Sequence, residues 1–261
     1  MDSIRNPYTP NAGASPEIVV GREDLLATFD VLLARLTVGR TSQSMIVTGL
    51  RGVGKTVLLN LFGKHAQEAE WVVVEFEASK HDDQHFRGTL FSRLRTALLT
   101  LSPRARWTDR AKRAAGALKS FSVGGLGVSM TWKVDLDEAE EGLADHGDLA
   151  MDLTDVLVTL GEVAREQDRG IVLLIDEVQF LRASQLEAII QAIHKTVQRQ
   201  LPITFVGAGL PQIAELAGDA KSYAERLFKF PTIDSLTDAD ARAALAGAAE
   251  REGASYNADA L

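Results

Sequence analysis

Two groups of residues in this chain have the chemistry to hold a phosphate chain and to cut it with water. The first is Gly49-Leu50-Arg51-Gly52-Val53-Gly54-Lys55-Thr56, a complete G-x-x-x-x-G-K-[ST] pattern. It lies between the short apolar run Met45 to Val47 and the helix-like run Val57 to Phe62, the setting in which the pattern works. There the backbone N–H groups of the loop point inward and the positive end of the helix dipole joins them, which makes an anion site. Gly52 and Gly54 leave out the Cβ atoms that would keep the loop off a phosphate. Lys55 reaches the β- and γ-phosphates of a nucleoside triphosphate, and the Thr56 hydroxyl is placed to ligate Mg²⁺. The second group is Asp176-Glu177, delivered by the apolar run Ile171-Val172-Leu173-Leu174-Ile175. An aspartate there holds Mg²⁺ through its water shell, and the neighbouring glutamate orients and deprotonates the attacking water. Two carboxylates at a solvated strand end are the plain alternative, and the full apolar strand before them argues against it. A kinase for a small acceptor would share the loop. The paired carboxylates on an inner strand fit a hydrolase better.

These groups need strands and helices to hold them. After the irregular Asn6-Pro7-Tyr8-Thr9-Pro10 and Ser15-Pro16 comes Val19-Val20-Gly21-Arg22-Glu23. From Asp24, the positions Leu25, Leu26, Phe29, Leu32, Leu33 and Leu36 have helical spacing. Ser44 to Thr48 and Trp71 to Phe76 read as strands, and Asp83 to Leu101 and Met151 to Glu166 as helices. Bounded by Arg169-Gly170, Ile171 to Ile175 reads as a buried central strand, with its carboxylates where ligands bind in open α/β sheets. A helix capped by Ser184 runs to Gln198, and Ile203 to Val206 forms a strand leading into Gly207-Ala208-Gly209-Leu210-Pro211. Leu227 to Ile233 is a last short strand and Thr237 to Glu250 a helix. The alternation predicts an α/β fold, a parallel sheet between two helical layers.

The segment 103 to 150 is longer than an ordinary crossover. Arg104, Arg106, Arg110, Lys112, Arg113 and Lys119 crowd its first part, with Asp109 opposing them. Phe121-Ser122-Val123 and Val128 to Val134 flank Gly124-Gly125-Leu126-Gly127 and read as a β-hairpin. Asp135, Asp137, Glu138, Glu140, Glu141, Asp145 and Asp148 follow. The basic stretch, Arg104 to Lys119, admits two uses: contact with DNA phosphates, with Trp107 as a stacking platform, or a solvated helix whose charges balance the acidic run.

Bulk properties narrow the field. The 261 residues carry 46% hydrophobic and 25% charged side chains, ordinary for a globular protein. No run approaches the roughly 18 apolar residues of a membrane helix, and Met1 to Pro10 lacks a signal-peptide core, so a cytoplasmic location is expected, with no membrane partner. The absence of cysteine removes disulfides, thiolate metal sites and cysteine nucleophiles. His81 and His85 are four apart, but the run between them lacks the glutamate of a zinc protease, and it reads as a polar helix start. A net charge of −8 argues against indiscriminate coating of nucleic acid.

On Gly49 to Thr56 and Ile171 to Gln179, the chain resembles P-loop ATPases of the AAA+ and STAND group. More narrowly, it is similar to the bacterial and archaeal ATPases with an origin-recognition-like AAA domain. Val20-Gly21-Arg22-Glu23, Gly207 to Pro211, Tyr223 to Leu227 and Ile233 to Thr237 add weaker matches, so the resemblance spans about residues 6 to 250. It implies ATP and Mg²⁺ as cofactors and a sheet in which another strand separates the two nucleotide-binding strands. It implies ATP hydrolysis by a switch or motor in a homo-oligomer or larger assembly, or a STAND-type signalling ATPase whose nucleotide state controls oligomerisation. The domain then spans 21–236, after an N-terminal segment 1–20, and 237–261 begins a helical lid that the chain truncates. Carried over, Gly49 to Val57 bind the phosphates, with Lys55 in contact with them and Glu177 activating water. Thr56 and Asp176 serve the metal, while Gly21 and Arg22 flank the adenine. Arg226 lies where relatives place an arginine that acts on a neighbouring subunit's γ-phosphate, and a structural ion pair is its other reading. Relatives also carry a polar sensor at the end of the strand that here leads into Gly207-Ala208-Gly209, and Gln212 is the nearest polar side chain.

Overall fold

The computed structural model describes residues 6–8, 16, 18–103, 107–126, 143–222 and 224–257. Its sheet contains β1 (Ser44–Thr48), β2 (Val72–Glu77), β3 (Ile171–Asp176), β4 (Ile203–Gly209) and β5 (Phe228–Lys229). They pair in parallel in the order β2-β3-β4-β1-β5. β4 therefore separates the strand before the glycine-rich loop from the strand that ends at Asp176, the arrangement the resemblance implies.

The strand sequences explain this burial. β1 and β4 are buried along their whole length and β3 up to Ile175, as interior strands of a parallel sheet must be. Alternation sends Ile171, Leu173 and Ile175 to one face with Ile46, Ile203 and Phe205. Val172 and Leu174 go to the other with Met45, Val47 and Val206. α1 (Glu23–Thr37) and α2 (Lys55–Glu68) cover this second face. The first is covered by α3 (Asp83–Leu101), α4 (Asp109–Leu126), α5 (Leu149–Glu166) and α6 (Ala183–Gln198). Three layers result. Asp176 continues the series Val172, Leu174, so its side chain emerges on the face of α2.

α7 (Ile213–Ala220), α8 (Ala224–Leu227) and α9 (Asp238–Arg251) complete the described helices. None of the described helices is long and apolar enough to cross a membrane.

Four local expectations change. The first arm of the hairpin expected at 121 to 134 is helix, not strand: Phe121 to Leu126 extend α4. Ala111, Ala114, Ala115, Leu118 and Phe121 recur at helical spacing and are all buried, so packing extends the helix. Val128 to Val134 lie outside the described residues, as do Arg104, Arg106 and the acidic run Asp135 to Glu141. Ser184 does not cap α6; Gln185 Oε1 accepts the Arg182 N–H at 3.1 Å and starts the helix earlier. The Ser184 hydroxyl donates to Asp83 instead. The last strand is cut to Phe228–Lys229 plus a bridge between Thr48 and Thr232, because Pro231 has no N–H to give. β4 runs on through Gly209 instead of stopping at Val206.

The insertion helix is held internally. Trp107 packs half-buried against the core with its indole N–H on Ser102 O at 2.8 Å, so it is not a free stacking platform. Arg110 pairs with Glu166 of α5 at 3.1 Å. Below them Arg87 of α3 meets Asp152 of α5 at 2.8 Å with side chains 5% and 0% exposed. The Arg87 guanidinium also lies 5.0 Å from the centre of the Phe121 ring. One buried charge pair thus joins α3, α4 and α5.

Candidate functional site

The loop Gly49–Gly54 leaves the carboxyl end of β1 and turns directly into α2. Gly52 and Gly54 have φ of +82° and +93°. A Cβ at either would meet nothing within 4 Å, so it is the left-handed backbone, not crowding inside the loop, that demands glycine there. Lys55 is buried, and its ammonium donates to the carbonyls of Gly49 (3.0 Å) and Leu50 (2.7 Å). That ammonium stands at the positive end of α2, where negative charge is favoured.

Thr56 points across to β3. Its hydroxyl donates to Asp176 Oδ2 at 2.6 Å, while Asp176 Oδ1 accepts the Glu177 N–H at 2.8 Å. The hydroxyl and carboxylate are hard oxygen donors of the kind Mg²⁺ takes, and that ion keeps several of its waters. Glu177 stands at φ +53°, a left-handed conformation that costs a non-glycine residue roughly 1–2 kcal/mol. The turn it makes ends β3 and opens the short 3₁₀ turn Val178–Phe180. The Gln179 amide N–H donates to Glu177 Oε2, and its Oε1 accepts the Leu210 N–H at 3.1 Å. Glu77, which no local pattern marks as a site residue, pairs in register with Asp176 and brings a further carboxylate to this end of the sheet.

Beside the loop lies a cavity of about 570 Å³, within the usual range for a small-molecule site. Loop residues Arg51 to Gly54 and Val57 line one side, and Ile18, Val20, Leu58, Leu236 and Ala244 give it apolar walls. Arg22 also lines it, but its guanidinium is spent on main chain, donating to Gly21 O (2.9 Å), Val53 O (3.2 Å) and Asp234 O (2.7 Å). It brackets three segments together. Gly21, at φ +68°, is not in the wall; a Cβ there would stand 2.9 Å from Asp240 Oδ2 of α9. Leu236, Ala241 and Ala244 were not legible as wall residues, since only folding brings α9 over the loop.

Two sequence-singled residues lie elsewhere. Gln212 precedes α7 and is exposed, whereas Gln179 reaches the end of β4. Arg226 is exposed on α8, and among the described residues it forms no ion pair. Ser44 pairs with Phe228 and Thr48 bridges Thr232, so Arg226 sits by the amino end of β1. At about 3.3 Å per residue, the four residues from Ser44 to Thr48 put it roughly 13 Å or more from the loop.

The profile of the AAA ATPase domain family matches residues 18–206. No curated protein matches the sequence. Among solved structures, the ORC2 protein of Aeropyrum pernix in its ADPNP-ADP complexes superposes with a TM-score of 0.51 at 16% identity, over 92% of this chain and 54% of that one. The ORC1 protein of the same organism, in complex with DNA, gives 0.46 at 14% identity, over 95% of this chain and 53% of that one. AMPPCP-bound DnaA from Aquifex aeolicus gives 0.47 at 14%, over 95% of this chain and 58% of that one. The chain spans a little over half the length of these structures. With a P-loop on one strand, paired carboxylates on another and a third strand between them, the chain belongs to the AAA ATPase domain family.

Proposed function

We propose that this AAA ATPase domain hydrolyses ATP with Mg²⁺ and works as a switch or motor within a larger assembly of its own or other chains. The observation that carries the reading is the line from Thr56 through Asp176 to Glu177, set across the sheet from the loop. The apolar cavity beside the loop takes the base, with Ile18, Val20 and Leu236 as its wall. The phosphates lie on the N-terminus of α2, and Lys55 turns from the loop carbonyls to them. Thr56 and Asp176 hold Mg²⁺, which neutralises charge on the phosphates. Glu177 takes the proton of the attacking water. Arg226 acts on the nucleotide of a neighbouring copy, since its own loop is at the other end of β1.

The test is phosphate release from Mg²⁺-ATP by the parent chain, Lys55→Ala and Glu177→Gln, with and without duplex DNA. The reading expects Lys55→Ala to lose nucleotide affinity. Glu177→Gln should keep affinity while turnover falls by about 10² to 10⁴, the usual contribution of a general base. Stimulation by DNA would place the assembly on DNA. Tight binding with negligible turnover in the parent chain would replace hydrolysis by a STAND-type nucleotide switch, and no binding would refute both.

A further inference from the structure

The resemblance expects a polar side chain at the carboxyl end of β4, and Gly207-Ala208-Gly209 provides none. The structure gives these glycines a different use. A Cβ on Gly207 would lie 3.0 Å from Val178 Cγ1, and one on Gly209 would lie 2.8 Å from both Val178 Cγ2 and Gln179 Oε1. β4 is stripped of side chains where the turn after β3 lies against it.

Into that space comes the Gln179 amide, partly buried, with its oxygen on the Leu210 N–H and its nitrogen on Glu177 Oε2. A primary amide is planar, so anchoring its oxygen on the backbone fixes the direction in which its N–H groups point. The partner is the one residue of the site held in a left-handed conformation without being glycine. Such conformations persist where surrounding contacts enforce them. Geometry also gives the bridge a place to act. β4 separates β1 from β3, so the Glu177 turn stands two strand spacings, roughly 10 Å, from the strand that carries the loop. A γ-phosphate held by the loop, and the water that attacks it, would have to fit in that gap, over the end of β4.

We infer that Gln179 is a positioning residue that aims the Glu177 carboxylate over the end of β4, supplying from the turn after β3 the polar group that β4 lacks. The inference rests on Glu177 being the base that activates water. Its test compares single-turnover ATP cleavage, nucleotide affinity and thermal unfolding for the parent chain, Gln179→Ala, Gln179→Met, Glu177→Gln and Glu177→Gln/Gln179→Met. Methionine keeps length and packing while removing both hydrogen bonds. Misplacing a reacting group by an ångström costs about a hundredfold, so both single Gln179 variants should cleave tenfold to a hundredfold more slowly, with nucleotide affinity within about twofold. In the Glu177→Gln background the methionine should change the rate less than about twofold, because the carboxylate it would misplace has gone. Parent-like cleavage by Gln179→Met, or an equal loss in both backgrounds, overturns the inference while leaving Glu177 as base. Parent-like cleavage by Glu177→Gln overturns the base assignment and this inference with it.

Discussion

Replacing Asp152 by alanine leaves the Arg87 guanidinium buried without its carboxylate. The two side chains are 5% and 0% exposed and 2.8 Å apart, so the desolvation that both groups accept on folding is offset mainly by each other. Their approach lacks hydrogen-bond alignment, which makes the attraction chiefly Coulombic. The Phe121 ring face at 5.0 Å remains as a partial partner for the cation. Breaking a buried pair from one side costs about 3–5 kcal/mol. For a domain of this size each kcal/mol moves Tm by about 2–4 °C, so Asp152→Ala should lower Tm by about 6–20 °C. The further loss of the acceptor for the His146 N–H, now 2.8 Å from Asp152 Oδ1, acts in the same direction. Removing both charges with Arg87→Met/Asp152→Leu should return most of this, because the desolvation penalty goes with the charges. The assay is thermal and urea unfolding followed by circular dichroism, alongside nucleotide affinity below the transition. Affinity should stay within about twofold, since the pair lies in the helical layer opposite α1 and α2. A Tm within about 2 °C of the parent, or a double variant no better than the single, would refute this account of how α4 is held.

Two other predictions concern assembly and pH. Arg226→Ala should leave nucleotide affinity intact and lower turnover by about 10³ to 10⁵, the range for an arginine supplied in trans. Mixing it with Lys55→Ala should restore part of the activity, because each copy contributes what the other lacks; no restoration, with specific activity independent of dilution, would rule out action in trans. The hydrogen bond to Asp155 at 3.0 Å raises the pKa of His146 above its ordinary 6.5, against a smaller opposing effect of burial. Its contribution to stability is therefore complete below pH 6.5 and is lost as pH rises through the raised value. The stability difference between the parent chain and His146→Gln should shrink over that window, and a difference independent of pH would contradict the pairing.

Much of the site was legible because its parts are contiguous. The loop needs eight consecutive residues between a strand and a helix, and Ile171 to Glu177 need only an apolar run ending in two acids. The helix at 121 to 126 is hidden in the sequence because Gly124-Gly125-Leu126-Gly127 resembles a turn locally. The helical spacing of Ala114, Ala115, Leu118 and Phe121 carried the opposite signal, and burial against α3 and α5 decided for it. Nothing local marks a task for Gln179, since its partner Leu210 lies 31 residues away in sequence.

By itself the sequence determined which residues carry charge, hydroxyl and left-handed freedom, and which runs alternate for strand or repeat for helix. Those properties depend on neighbours within a turn or two of the chain. Tertiary structure alone decided that β4 would lie between β1 and β3, and that α9 would close a cavity begun at Ile18. It also turned Arg22 onto three carbonyls and set Arg226 away from its own loop. These are contacts between segments up to about two hundred residues apart, set by which apolar faces pack together, and no local pattern encodes them.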